Sequence, residues 1–303
     1  MNPQALMDGF VSGAMIGLGA IGITLTYSIL RFANFAHGEL ITWGAYFALA
    51  VAGALGLAFG GLLTPLGPFS FGWALPLAAI AAIFLNSALA LLVDGALFGR
   101  LRAKHSTVIV MVMASFGAAL TLRSLVEFIF TPNPAYYTQA LQISLQIGLG
   151  LRATPDQLLS LGVAAVVVVA VYLLLSRTAI GRAMRAVSEN SQLSGLVGIR
   201  VRHVIRVVWV LGASLAAVAG VITGLLVQIR PEMGLDLLLP LFAAAILGGI
   251  GSVPGAMIAG LIIGLCEAFA VDVAGAQWRA AVSFVILVLV LLVRPQGLFG
   301  RAE

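Results

Sequence analysis

Apolar residues fill long blocks along the 303-residue chain, with short polar stretches between them. A helix that crosses a hydrocarbon core about 30 Å thick needs about 20 such residues. Blocks of that length occupy 9–29, 38–57, 73–98, 107–130, 157–176 and 204–227. Beyond them the pattern becomes irregular. The run 237–250 is apolar but short, Gly251-Ser252-Val253-Pro254-Gly255 interrupts it, and 256–269 and 278–293 close the set. The pattern predicts an all-α, polytopic transmembrane helical bundle of eight to nine membrane segments. The 237–250 run is either a tightly fitted span or a broken, re-entrant one, which is tolerated only where protein or water covers its free backbone groups.

Composition narrows the class further. Hydrophobic residues make up 61% of the chain and charged residues 9%, with a mean hydropathy of +1.13. A soluble domain is nearer 45–50% apolar and about 25% charged, so this chain cannot cover a water-facing globule. A soluble enzyme, a disordered chain and a nucleic-acid module are excluded. The polar insertions, the longest around 131–156, are too short to hold a core of their own. The whole of 1–303 therefore reads as one transmembrane domain. The opening residues lack a basic stretch, and the first apolar block is too long for a signal sequence, so it reads as a retained span.

The net charge of +5 reflects loop arginines rather than affinity for nucleic acid. If the N-terminus is outside and all nine segments cross, Arg31, Arg100, Arg102, Lys104, Arg177, Arg182, Arg185, Arg200, Arg202, Arg206, Arg294 and Arg301 fall on one side. Only Arg152, Arg230 and Arg279 fall on the other. Twelve against three satisfies the positive-inside rule and predicts an N-terminus outside and a C-terminus inside. Small residues four apart give each of several spans a smooth face: Gly9, Gly13 and Gly17; Gly44, Ala48, Ala52 and Gly56; Gly220 and Gly224; Ala256, Gly260 and Gly264. These faces are expected to pack helix on helix or to slide during gating.

Candidate chemistry is sparse. His105 and His203 sit among loop arginines, no HExxH occurs, and the one cysteine, Cys266, lies in an apolar run. The single lysine, Lys104, is flanked by Ala103 and His105, so it belongs to no Walker loop and the chain carries no ATP-hydrolysing motif of that kind. Asn34, His37 and Glu39 stand where the second span begins, either at a wet interface or facing the bundle interior as part of a gate. Arg123 and Glu127 are four apart on one helix face, where they can pair. The stretch 177–203 holds Ile180, Ala183, Met184 and Val187 at i, i+3, i+4 and i+7, a short amphipathic helix flanked by Arg182 and Arg185, with Gly195 and Gly198 free to turn. It reads as lying on the lipid interface or as docking into a soluble partner.

Three motifs together resemble the inner-membrane permease subunits of bacterial branched-chain amino acid ABC importers, in particular the shorter, H-type subunit. They are Asn34-Phe35-Ala36-His37-Gly38-Glu39, Gly181-Arg182-Ala183-Met184-Arg185-Ala186-Val187 with Gly195-Leu196-Val197-Gly198-Ile199, and Gly248-Gly249-Ile250-Gly251-Ser252-Val253-Pro254-Gly255-Ala256. The resemblance implies a non-catalytic subunit in the bacterial inner membrane, forming the pathway for branched-chain or other small hydrophobic amino acids. Implied partners are a second related permease, two cytoplasmic P-loop ATPases that bind ATP and Mg, and a periplasmic substrate-binding protein. No cofactor belongs to this chain. Gly181, Arg182, Met184, Arg185, Val187, Glu189, Gly195 and Gly198 become candidates for coupling to the ATPases. Asn34, His37, Glu39, Arg123, Glu127, Gly249 and Gly251 become candidates for pathway or gate. The other readings are a urea or short-amide permease of the same family, and an ion-coupled secondary transporter in which Glu39, Glu127 or Asp236 carries protons and 237–255 forms the site.

Overall fold

The computed structural model describes residues 3–138, 140, 142–148, 151–294 and 296–299; Arg301, counted above, lies outside them. The helices are α1 (Pro3–Leu30), α2 (Ala36–Ala58), α3 (Ala74–Ala103), α4 (Val108–Phe130), α5 (Pro155–Arg177), α6 (Ala179–Glu189), α7 (Ser191–Leu196), α8 (Val201–Leu226), α9 (Met233–Gly248), α10 (Val253–Ala274) and α11 (Arg279–Val293). Among the described residues eight spans are long and apolar enough to cross a membrane, the last being Ala276–Val293, which joins a short turn to α11; α6 and α7 are short, and α9 is the short apolar segment anticipated from the pattern. At 16 residues and about 1.5 Å per residue, α9 is about 24 Å long, less than a full crossing.

Sequence signals explain several boundaries. Thr154 and Gln157 form a capping box ahead of Pro155 at the start of α5. The Ser252 hydroxyl accepts from Gly255 N, with Pro254 in the first turn of α10. Within α3, a π-turn at Asp94–Phe98 displaces the ladder, and buried Asp94 is met by Arg102 at 2.7 Å.

The glycine rows pack against each other. A Cβ on Gly13 would sit 2.7 Å from Leu261 Cα, and one on Gly264 would sit 2.3 Å from Gly13 N. The row of Gly9, Gly13 and Gly17 on α1 thus meets the row of Ala256, Gly260 and Gly264 on α10, backbone to backbone. A second close crossing joins α2 to α8, where Gly44 abuts Ala217 and Gly220 abuts the Ile41 carbonyl. Helices α3, α4, α5 and α11 present large apolar side chains outward, among them Phe84, Phe128, Val166 and Leu292. That exterior suits lipid.

Polar ties fix the interior. Asn86 of α3 is fully buried, and its Nδ2 donates to the carbonyls of Leu40 on α2 at 3.0 Å and Ala213 on α8 at 2.8 Å. Replacing it by leucine removes two interhelical bonds of roughly 1 kcal/mol each and frees two backbone acceptors. Asn86→Leu is expected to lower stability by about 2 kcal/mol, as measured by unfolding in mixed micelles.

One end of the bundle carries the α6–α7 helix pair, and the other carries a small antiparallel hairpin of β1 (Leu145–Gly148) and β2 (Leu151–Ala153). The segment 131–156, expected only as a loop, forms this hairpin and ties to α1 through a bond from Arg152 N to Gln4 at 3.2 Å. Nearby, Tyr137 donates to the Ala45 carbonyl at 2.8 Å, and its burial pushes the phenol well above its ordinary pKa.

Candidate functional site: a charged and aromatic groove, and a helix pair

Two interruptions of the span pattern turn the chain back along the bundle. After α1 ends at Leu30, residues 31–35 run back alongside it, and α2 begins beside Gly22. The His37 ring lies so close to Gly22 that a Cβ there would come within 2.6 Å of it, and it also faces Gly212 of α8. Gly22 is eight residues, about 12 Å, from the end of α1. The interface position considered for Asn34, His37 and Glu39 is therefore corrected: they are 2%, 0% and 2% exposed, deep within the bundle. Small residues on two other helices make this depth available. The second interruption is 227–232, which carries the chain back from the hairpin end so that α9 starts against α2; Gly234 N donates to Thr42 Oγ1 at 3.0 Å.

Several of these groups are incompletely paired. Asn34 Oδ1 accepts from Ala36 N, whereas its Nδ2, both ring nitrogens of His37 and Glu39 Oε2 are buried without a hydrogen-bond partner of standard geometry. In a native interior such atoms are uncommon.

Arg123 and Glu127 pair as their spacing predicts, Nε to Oε1 at 3.0 Å. The structure adds a third member that the sequence reading missed: Glu232, at the start of α9, accepts from Arg123 Nη2 at 2.6 Å. Arg230 pairs with Asp236 at 3.1 Å close by. The alternating charges of Arg230, Glu232 and Asp236 ahead of a short apolar run were the available signal. Glu39 lies within electrostatic reach of Arg123 and Glu127. The side chains of Arg123, Glu127 and Glu232 are 22%, 40% and 55% exposed. Arg123 stands seven residues, about 10 Å, inside the end of α4. Turning such charges toward lipid costs up to about 2.5–3.5 kcal/mol each, so this face meets water or protein.

An aromatic cluster lies on the same faces. Phe116 precedes Arg123 by seven residues, two turns down α4. Phe35 sits between α4 and α9, its ring centroid 6.2 Å from Phe116 and 5.3 Å from Phe242. The Phe35 amide is anchored by Ser115 Oγ at 3.2 Å. Gly249 and Gly251 do not join this cluster. They form the turn from α9 to α10 at the helix-pair end, with φ of 89° and 88°, where Gly251 N donates to Thr24 and Leu298 N donates to the Leu247 carbonyl. Both need the left-handed freedom of glycine.

The amphipathic helix of 177–203 forms as α6, but its apolar stripe faces inward. Gly181, Met184 and Val187 are buried against the bundle, and Arg185 Nη1 donates to the Leu175 carbonyl. Gly181, Met184 and Val187 are thus not the surface open to a partner, whereas Arg182, Arg185 and Glu189 remain exposed. The outward apolar surface is the tip of α7 and the turn after it: Leu193, Leu196 and Val197 are 58%, 85% and 71% exposed. The Asn190 side chain caps α7 at Leu193 N, and Gly198, at φ 87°, makes the turn; Gly195 lies within α7 instead. Arg31, at φ 59°, donates to the Ser188 carbonyl and so joins the start of the 31–35 segment to α6.

Known proteins share this architecture. Residues 5–291 match the family described as the permease component of branched-chain amino acid transport systems. The high-affinity branched-chain amino acid transport system permease protein BraD of Pseudomonas aeruginosa is 34% identical, over 99% of this chain and 96% of that protein. LivH of Escherichia coli K12, with the same description, is 32% identical over the same shares. Among solved structures, PsaBC from Streptococcus pneumoniae in complex with Fab superposes with a TM-score of 0.50 at 14% identity, over 97% of this chain and 91% of that one, a likeness of fold alone. With a family match spanning nearly the whole chain and relatives similar from end to end, this multi-pass membrane protein belongs to the permease components of branched-chain amino acid transport systems.

Proposed function

We propose that the chain is the membrane subunit of an ATP-driven importer that carries branched-chain or other small hydrophobic amino acids, the cargo class named for its relatives. The observation that carries this reading is the partly exposed ion cluster of Arg123 and Glu127, on an otherwise apolar span, with Glu232 at the start of α9. Ionised groups at such depth mark a solute pathway. The pathway follows the face of α4 and α9, and a second, related permease covers it. The chain itself performs no chemistry. ATP and Mg are bound by two cytoplasmic P-loop ATPase subunits, and a periplasmic binding protein delivers the solute at the hairpin end.

The helix-pair end is cytoplasmic, which leaves the N-terminus periplasmic and the C-terminus cytoplasmic in the bacterial inner membrane. The arginine bias supports this orientation. Within the single transmembrane domain, 177–203 is the coupling segment, and Leu193, Leu196 and Val197 are the apolar knob that enters a cleft of an ATPase.

The test is reconstitution. The chain, co-purified with its partners and placed in proteoliposomes with the binding protein, is expected to accumulate radiolabelled leucine only when ATP is present on the ATPase side. Uphill uptake by the isolated chain without ATP overturns the reading in favour of an ion-coupled carrier.

A further inference from the structure

Helices α4 and α9 both pack against α2, and we read the first turns of α2 between them as the floor of a groove. Two cross-ties close it. Nearer the hairpin end, Arg123 of α4 reaches Glu232 at the start of α9. About 10 Å deeper, Phe35 stands between Phe116 and Phe242. Glu39 follows Phe35 by one helical turn and so lies on the floor near both ties. It is 2% exposed; Thr42 is the hydrogen-bonding neighbour of the carboxylate, and Oε2 has no partner of standard geometry. A carboxylate oxygen enclosed in this way is an acceptor awaiting a donor.

Three chemistries thus converge in one groove: a carboxylate short of a donor, a guanidinium held by carboxylates that can exchange, and an apolar aromatic wall. Glu232 is half-exposed and returns to water readily when displaced, while Glu127 stays with Arg123 on the same helix face. A metal ion or a proton would have no use for the three phenylalanines, and a purely apolar solute would have none for the charges.

We propose that this groove is a transient binding site for a hydrophobic α-amino acid zwitterion, with its α-ammonium on Glu39, its α-carboxylate on Arg123 in place of Glu232, and its aliphatic side chain against Phe35, Phe116 and Phe242. The assignment rests on the pathway reading above and names the site within that pathway. Binding requires the Arg123–Glu232 tie to part first, and release toward the helix-pair end requires Phe35 to leave its place between Phe116 and Phe242.

The test uses the complete importer in proteoliposomes. A diazirine analogue of leucine, illuminated during ATP-driven turnover of the wild-type complex, is expected to leave adducts on the segments 35–42, 113–127 and 232–242. Adducts confined to other segments overturn the site. Glu39→Gln is expected to lower leucine uptake at least about tenfold, the scale of removing one partner of a desolvated charge pair. Binding-protein-stimulated ATP hydrolysis persists, and Glu39→Asp recovers part of the uptake. Wild-type uptake by Glu39→Gln overturns the site while leaving the importer reading intact. Absence of ATP-dependent uptake in the wild-type complex overturns the importer reading itself. Should Glu39→Gln fail to assemble, the wild-type labelling decides alone.

Discussion

Replacing Leu196 and Val197 together by aspartate is expected to abolish ATP-driven uptake while the bundle still folds and inserts. Both residues are more than two-thirds exposed on a short helix fixed by the Asn190 cap and the Gly198 turn, and neither supports the core. Apolar anchors at the centre of a protein interface typically contribute about 2–4 kcal/mol, which is roughly thirtyfold to a thousandfold in affinity. Two buried aspartates in an apolar cleft would oppose docking further. The measurement is co-purification of the ATPase subunits with the double variant, together with uptake in vesicles. Unchanged capture of the ATPases would show that the tip of α7 is not the docking surface. Arg182, exposed on α6, could then take that role, but Met184 and Val187 could not without first leaving the core.

The second large effect is on the fold. Gly264→Leu is expected to prevent stable packing of α10 on α1. The first carbon added at Gly264 would already lie 2.3 Å from Gly13 N and 2.4 Å from Gly13 Cα. Backbone, unlike the end of a flexible side chain, cannot step aside, and both helices are held by further glycine contacts along the same seam. Overpacking of this kind costs about 1–3 kcal/mol and occasionally more, enough to erase much of a marginal stability. Gly117→Leu is the matched control, because nothing lies within 4 Å of that position. Unfolding of the two variants in mixed micelles should separate them clearly. Equal stability would mean that the seam is looser than its geometry.

Much of this architecture could be read from residue order because its cause is local. An apolar block of about 20 residues has one physical outcome in a bilayer, and the long spans end within a few residues of where the blocks end. The short α9 was legible for the same reason, and so was the smooth face of Gly9, Gly13 and Gly17, although nothing in the order of residues said that Gly260 and Gly264 would be its partner. The depth of His37 was illegible. It depends on Gly22 and Gly212, which are remote in sequence and make room for an imidazole only once three helices are assembled. Phe35, Phe116 and Phe242 were equally silent, since an aromatic residue within an apolar run carries no periodic mark.

Glu232 was hidden differently, in a short polar connection where a charge ordinarily meets water. Its significance comes from the return of 227–232 toward α2, which brings it to Arg123. The α6 stripe shows the opposite error. Its periodicity was right, but a stripe records only that one face is dry, and here the dry face belongs to the bundle itself.

The bond between Arg31 and Ser188 has a mechanical consequence. Arg31 opens a five-residue stretch of non-helical backbone, and the last residue of that stretch is Phe35. A tether this short ties the position of the phenyl ring to that of the α6–α7 pair. On the proposed pathway, a displacement of α6 would therefore be felt first at the ring that closes the groove.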